Sequence, residues 1–186
     1  MSLERLWAGW RAAYVGSTGA SAGDLTDVAE RAAPAAGTAA GSPEEGCVFC
    51  AIVASPAPDE DRYVVWADET TVVVLNAFPY ASGHILVMPR RHVRELEELT
   101  GEEGVRLWAA VQDGVVAVKA AYRPDGLNLG LNLGRAAGAG IPAHLHVHVV
   151  PRWLGDTNFM TATAEVRVLP EALGDSWQRL RATWAS

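Results

Sequence analysis

The sequence predicts an α+β protein: one domain with a five-stranded, largely antiparallel sheet, a long helix and a C-terminal helix. Short runs of aliphatic and β-branched residues alternate with turn-forming residues, which is typical of strands. One long stretch in the middle of the chain carries helix start and stop signals instead. The chain has 186 residues, of which 49% are hydrophobic, enough for one domain with a substantial core. Strands interrupted by a single helix favour the α+β class.

The strands are assigned from the apolar runs and the turns between them. The first two flank the turn Ala-Asp-Glu-Thr and form a predicted hairpin. The last two flank a Gly/Ala-rich loop, RAAGAGIPA. The five predicted strands are residues 63–66, 71–75, 84–89, 126–134 and 143–150.

Three helical regions are predicted. Residues 90–99 are expected to begin a helical region, and Thr100 with Glu103 forms a capping box that opens a long helix ending near Tyr122. A terminal helix is expected within residues 170–184. The apolar stripe of the long helix is predicted to consist of Val105, Leu107, Trp108, Val111, Val115 and Val118.

The chain is expected to divide into three parts. Residues 1–15 have apolar side chains at helix-like spacing and are interpreted as a docking segment. Residues 16–46 are small, polar and rich in Gly, Ala and Pro, which predicts a flexible linker because they can bury little surface. Residues 47–186 are assigned to the folded domain with a C-terminal extension.

Composition excludes some classes of partner. A net charge of −7 disfavours a general surface for nucleic acid or an anionic membrane. The sequence contains no run of eighteen apolar residues, so no membrane span is predicted. The first residues lack the apolar core of a signal peptide. With two cysteines and no secretion signal, we expect a reducing cytoplasm.

The stretch AHLHVHVV holds three of the five histidines, His144, His146 and His148. In a strand, alternate side chains share a face, so the three imidazoles should line one side, about 6.5–7 Å apart. The residues between them should face the core. A zinc site made of all three histidines is an alternative. Metal sites usually take their ligands from several elements, however, and three ligands from one flat strand are hard to arrange around one ion.

The pattern His-φ-His-φ-His-φ-φ, with φ hydrophobic, resembles the signature of the histidine triad (HIT) superfamily. The stretches CVFCAIVA, LNAFPYASGHILVMPRRHVREL and GLNLGLNLG agree with it in order and spacing, over roughly residues 47–155. LERLWAGWRAAYV and HVVPRWLGDTNFM resemble the bacterial diadenosine tetraphosphate phosphorylase-like branch. The resemblance implies a HIT-like fold, a nucleotide substrate, no organic cofactor, and a homodimer whose two sheets join.

The resemblance also implies catalytic roles. His146 matches the family nucleophile, which attacks the α-phosphorus to form a nucleotidyl-histidine intermediate while a backbone carbonyl holds its other ring nitrogen. His148 matches the histidine that hydrogen-bonds the phosphate and the scissile oxygen. His84 matches a histidine that lies against the triad; its alternative is a satisfied core histidine.

A separate role is implied for the first triad histidine. Cys47, Cys50, His92 and His144 together have the Cys₂His₂ composition of a closed structural zinc site, and bacterial relatives with this cysteine pair often bind Zn²⁺ there. Two alternatives for the cysteines remain: reduced thiols packed in the core, or a redox pair. The redox pair lacks a thioredoxin-like βαβ context.

The substrate-binding residues follow from the same comparison. Asn76 matches a ribose-binding position and Asn132 a phosphate contact. Trp153 is expected either to close the base pocket or to pack at the dimer seam. Many HIT hydrolases carry Gln and Ser in the loop before the triad, and phosphorylase-like relatives often have a serine near the position of Gly140. Here Gly138, Ala139 and Gly140 occupy that loop, whose backbone N–H groups could cradle phosphate.

The motifs and the resemblance are compatible with three functions. The first is phosphorolysis of diadenosine tetraphosphate to ADP and ATP, with inorganic phosphate as acceptor. The second is hydrolysis, releasing AMP from dinucleoside polyphosphates or nucleoside phosphoramidates. The third is a non-catalytic nucleotide-binding module, for which a nucleophile would be unnecessary.

Overall fold

The described part of the chain folds around a single five-stranded antiparallel sheet with strand order β1-β2-β3-β5-β4. A computed structural model describes residues 46–156 and 171–184. The predicted docking segment, 1–15, and all but the last residue of the predicted linker, 16–46, lie outside the described residues. The strands are β1 Val64–Ala67, β2 Thr71–Leu75, β3 Ile85–Pro89, β4 Gly126–Leu131 and β5 Val147–Arg152. The helices are α1 Val48–Ala54, α2 Asp59–Arg62, α3 Gly101–Tyr122 and α4 Leu173–Thr183.

The two faces of the sheet pack against different elements. One face meets α3 and α4, and its buried cluster includes Leu145, Val147 and Val149. The other face packs against the segment of Cys47 and Phe49, with Leu86 and Met88 from β3. The prediction that the residues between the histidines face the core is therefore confirmed. It follows that the imidazoles belong to the other face.

Helix α4 covers one edge of the sheet. The indole Nε1–H of Trp177 donates to the Val64 carbonyl at 2.8 Å, and Arg181 donates to the Val65 carbonyl at 2.8 Å. These bonds use backbone acceptors that β1, as an edge strand, would otherwise present to solvent. The opposite edge is formed by β4, and no strand of residues 46–156 or 171–184 pairs with its outer side.

Helix α3 begins as predicted, with Thr100 and Glu103 in a reciprocal capping box. The predicted apolar stripe is wrong in two positions, since Val105 and Trp108 are 70% and 48% exposed. Small residues let the helix lie close to the sheet: a Cβ added at Gly114 would stand 2.9 Å from Ile85. The residues of α3 that are buried are Leu107, Ala110, Val111, Gly114, Ala117 and Val118.

Other sequence predictions need correction. Residues 90–99 form no helix beyond the 3-10 turn Leu96–Glu98, because the Val93 carbonyl accepts the Leu145 N–H at 2.7 Å and not an N–H of its own segment. The fourth strand ends at Leu131, three residues before Gly134 with its positive φ of 74°. The histidine strand begins at Val147, so His148 alone of the triad lies within it. The CVFC segment, left unassigned, opens helix α1. No helix within the described ranges has the length and apolar character needed to cross a membrane.

Substitution of Gly83 by alanine is expected to destabilise the protein by about 2–4 kcal/mol. Gly83 has φ +81°, and an added Cβ would stand 2.4 Å from the ring of Tyr122. Gly104→Ala is the matched control, because nothing lies within 4 Å of its added Cβ and alanine favours a helix. Urea denaturation measures both free energies of unfolding. Equal stability of Gly83→Ala and the parent protein would contradict the close packing.

Candidate functional site

His146 is a buried imidazole with a defined tautomer. Its Nδ1 lies 2.8 Å from the carbonyl oxygen of His144. A carbonyl can only accept, so Nδ1 carries the proton and Nε2 keeps its lone pair. The side chain is 6% exposed, and burial lowers the pKa of His146, an effect that the carbonyl partly opposes. The ring is therefore held neutral, with one nitrogen able to attack an electrophile.

His84 and His148 form a second ordered pair beside it. The backbone N–H of Tyr80 donates to His84 Nδ1 at 3.1 Å, and the Asn76 amide nitrogen lies 3.2 Å from the same atom. An Nδ1 that accepts leaves the proton on His84 Nε2, which lies 3.0 Å from Nδ1 of His148. The remaining proton of His148 then resides on Nε2.

The Nε2 of His148 is buried and has no hydrogen-bond partner in the described part of the chain. Its ring lies 4.9 Å from that of His146, centroid to centroid. Burial, together with the nearby His146, lowers the pKa of His148 to about 4. The site thus pairs a nucleophilic nitrogen with a neutral N–H donor, which suits attack on a group that carries oxygen acceptors.

The first triad histidine faces a different cluster. The potential ligand atoms of Cys47, Cys50, His92 and His144 all lie within 4.8 Å of one another. Nδ1 of His144 is 3.5 Å from Sγ of Cys47 and 3.6 Å from Sγ of Cys50. Nδ1 of His92 is 3.1 Å from Sγ of Cys50. Tetrahedral zinc, with bonds of about 2.3 Å to sulfur and 2.0–2.1 Å to nitrogen, would separate S and N by about 3.5 Å.

The hydrogen bonding of His144 also fits metal coordination. Its Nε2 lies 2.9 Å from the carbonyl oxygen of Pro89, which can only accept, so Nε2 is protonated and Nδ1 is free to ligate. A ligand histidine commonly donates its other N–H to such a carbonyl. Burial is the main cause that lowers the pKa of His144, with His92 and His146 adding to it. The donor set and geometry can therefore bind a metal ion.

Asn76 lies beside the histidine pair. Its amide oxygen accepts the Phe78 N–H at 3.0 Å, while its amide nitrogen is the one near His84. Phe78 itself is 82% exposed. The residue expected to hold ribose is thus also part of the network that orients His84.

The other predicted substrate residues occupy the neighbouring loops. Asn132 follows Leu131, which pairs with Val147 in the sheet. Gly138 ends the 3-10 turn Arg135–Ala137 with φ 87°, and Gly140 is exposed in the same loop. Trp153 is half-buried, with its ring edge-on to Tyr122 at 6.4 Å. Asn132 is therefore close along the strands to His146, whereas Trp153 meets Tyr122 of the same chain.

Arginines that flank these motifs in sequence are engaged elsewhere. Arg152 forms two 2.6 Å contacts with the carboxylate of Asp156 and donates to Asn128. Arg91 pairs with Glu103 at 2.8 Å. These carboxylates balance the positive charges locally, so neither arginine stands as an uncompensated anion site.

The motifs did not single out Phe49, one of the two residues between the cysteines of the CVFC motif. Its ring centroid lies 5.6 Å from that of His144 and 5.1 Å from that of His146. The sequence signal was its place inside the metal motif, but only the fold brings residue 49 against residue 146.

The stability of the protein is expected to fall as the pH decreases from about 6.5 toward 4. The folded state holds the pKa of His148 at about 4, whereas an exposed histidine in the unfolded chain titrates near 6.5. In this window the unfolded chain binds more protons, so acid favours unfolding. Melting temperatures of the parent and His148→Asn at pH 7.5 and 5 measure the effect. The variant should lose less stability on acidification, and identical losses would contradict the assignment.

Comparison with known proteins identifies the family. The family model of the HIT domain matches residues 57–153, just over half of the chain. The chain belongs to the histidine triad (HIT) family. The matched range contains Asn76, His84 and all three triad histidines, whereas the cysteine pair precedes it.

Individual relatives agree with this assignment. A Mycobacterium tuberculosis protein described as AP-4-A phosphorylase is 46% identical over 127 residues, covering 68% of this chain and 65% of the relative. A zinc-bound histidine triad family protein from Mycobacterium smegmatis matches with a TM-score of 0.61 and 32% identity, over 76% of this chain and 94% of that one. A Hit-like protein from Bartonella henselae has a TM-score of 0.61 and 26% identity, over 73% and 94% of the two chains. This chain thus spans less than two thirds of its phosphorylase relative.

Proposed function

We propose that this protein is a nucleotidyltransferase that cleaves dinucleoside polyphosphates through a nucleotidyl-histidine intermediate on His146. The observation that carries the proposal is the hydrogen bond from His146 Nδ1–H to the His144 carbonyl, which leaves the Nε2 lone pair of a neutral ring available. The similarity to an AP-4-A phosphorylase supports diadenosine tetraphosphate as substrate and inorganic phosphate as acceptor.

The proposed first step is attack on the α-phosphorus. The Nε2 lone pair of His146 forms the N–P bond as the bridging P–O bond breaks, and ATP leaves with the bonding electrons. The His144 carbonyl stabilises the positive charge that develops at Nδ1–H. His148 donates a hydrogen bond from its Nε2–H to the scissile oxygen. The hydrogen bond from His84 Nε2–H to Nδ1 of His148 keeps the proton of His148 on Nε2.

In the proposed second step an oxygen of inorganic phosphate attacks the nucleotidyl group. The N–P bond breaks, its electrons return to His146 Nε2, and ADP is released. Asn132 and the backbone of Gly138 and Gly140 are proposed to hold the phosphates, with Asn76 on the ribose and Trp153 at the base pocket. Gly138, Ala139 and Gly140 bring no polar side chain to this loop, so we keep hydrolysis, with water as acceptor, as the second candidate function.

Product analysis separates the two acceptors. The protein is incubated with diadenosine tetraphosphate with and without inorganic phosphate, and the nucleotides are separated. ADP and ATP formed only when phosphate is present would support phosphorolysis. AMP and ATP formed regardless of phosphate would identify a hydrolase. Absence of turnover in both conditions would refute this substrate.

We also propose that the metal held by Cys47, Cys50, His92 and His144 is structural zinc. Zinc would supply a fixed cross-link among four ligands and no redox chemistry. The supporting observations are the Cys₂His₂ donor set, the protonated Nε2 of His144 and the zinc-bound relative.

A homodimer is proposed through the open edge at β4. The β1 edge is closed by α4, whereas Leu129 on β4 and Leu133 just after it are 49% and 42% exposed. Pairing two β4 strands would bury apolar side chains and satisfy edge hydrogen bonds.

Sedimentation equilibrium should give twice the 19.8 kDa chain mass, and Leu129→Glu should lower the measured mass. A monomer at micromolar concentration would contradict this interface.

A further inference from the structure

Phe49 connects the cysteine pair with the triad. It lies between Cys47 and Cys50 in sequence, in the first turn of α1, and is 3% exposed. Its ring meets that of His144 nearly at a right angle, 87°, and that of His146 at 64°. One buried side chain thus contacts both a candidate metal ligand and the candidate nucleophile.

His146 needs more than its hydrogen bond to be held in one orientation. The bond from Nδ1–H to the His144 carbonyl restrains one ring atom, and the ring can still pivot about that contact. Phe49 and His148 contact the ring, with centroids at 5.1 Å and 4.9 Å. Because interiors are close-packed, such contacts restrict the ring to one orientation and so direct its Nε2 lone pair.

The metal cluster and the nucleophile share two links. His144 contributes its side chain to the cluster and its carbonyl to His146. Cys47 and Cys50 flank Phe49, so fixing the two sulfurs also fixes the backbone on either side of its ring. A displacement of the cysteine pair would therefore move both restraints on His146.

We infer that Phe49 is a positioning residue for His146. Through Phe49, the metal cluster influences the direction of the Nε2 lone pair of His146. The inference rests on the proposed role of His146 as nucleophile. A misplacement of about 1 Å can lower a rate by about 10²-fold, so a ring contact of this kind is enough to matter for nucleotidyl transfer. The connection runs from the two cysteines through the backbone to Phe49, and from its ring to the imidazole of His146.

The test compares Phe49→Leu with Ile52→Ala in the metal-loaded protein. Ile52 is half-buried on the same helix and packs against the same cluster as Phe49, so it matches the loss of apolar contact. With diadenosine tetraphosphate, Phe49→Leu should lower kcat about 10- to 100-fold with KM within about twofold. Ile52→Ala should lower the melting temperature and leave kcat unchanged. Metal content should stay equal in all three proteins.

A second measurement does not depend on turnover. In protein labelled with ¹⁵N-histidine, the Nδ1–H of His146 should exchange with water faster in Phe49→Leu than in the parent or in Ile52→Ala. An unchanged exchange rate would overturn the inference, even if the parent protein fails to cleave the nucleotide and the proposed function is wrong. A lower melting temperature with unchanged kcat and exchange would assign Phe49 to packing alone. If Phe49→Leu loses metal, the exchange rate of His146 Nδ1–H is measured in the parent protein before and after chelation. An unchanged rate would overturn the coupling between the metal cluster and His146.

Discussion

Replacement of His146 by alanine is expected to lower the turnover of diadenosine tetraphosphate by about 10⁴-fold or more. Alanine removes the Nε2 lone pair that would form the N–P bond. Nucleotide binding should persist, because His84, His148 and Asn76 remain. Steady-state kinetics and binding of a non-cleavable dinucleotide analogue measure the two effects separately.

Val150→Ala is the matched control for this variant. Val150 is buried on β5, the strand that follows His146, and should share the face of His148, which lies two residues before it. The control should reduce stability by about 1–2 kcal/mol and keep turnover. Turnover by His146→Ala within tenfold of the parent would remove His146 as the nucleophile. Binding without turnover in the parent protein would leave the non-catalytic nucleotide-binding module as the function.

Replacement of Cys47 by serine is expected to abolish stoichiometric zinc binding and to lower the melting temperature by about 10 °C. Stabilisation by a tightly bound metal reaches about 4 kcal/mol when its concentration is about a thousand times Kd. Each kcal/mol shifts the melting temperature of a chain this size by about 2–4 °C. Elemental analysis of tag-free protein and calorimetry measure the two quantities.

Val48→Ala provides the comparison for the zinc experiment. Val48 lies next to Cys47, is 46% exposed and offers no ligand atom, so its replacement should leave metal content near one per chain. Protein purified without chelators that holds no metal, or a Cys47→Ser variant with an unchanged melting temperature, would contradict a structural zinc site. A different metal at the same stoichiometry would correct the identity and keep the site.

Sequence patterns predicted much of the sheet because short runs of apolar and β-branched residues between turns are a local signal. The 71–75 strand matches β2 residue for residue, and Thr100 with Glu103 located the start of α3. The side of α3 that faces the sheet was harder to predict. Gly114 and Ala117 give little hydrophobic signal, yet their small size allows the close approach that buries them.

The sequence by itself determined which chemical groups are present and how the triad alternates, since these depend on residue type and the two-residue period of an extended chain. Tertiary structure decided which distant partners the rings meet. The Pro89 carbonyl sets the tautomer of His144 and directs its Nδ1 toward the sulfurs, whereas the nearby His144 carbonyl sets the opposite tautomer on His146 and leaves the lone pair on its Nε2. Phe49 reaches the triad only because the fold brings α1 against the sheet. Pro89 and Phe49 lie so far along the chain from the triad that no local pattern predicts their contacts with it.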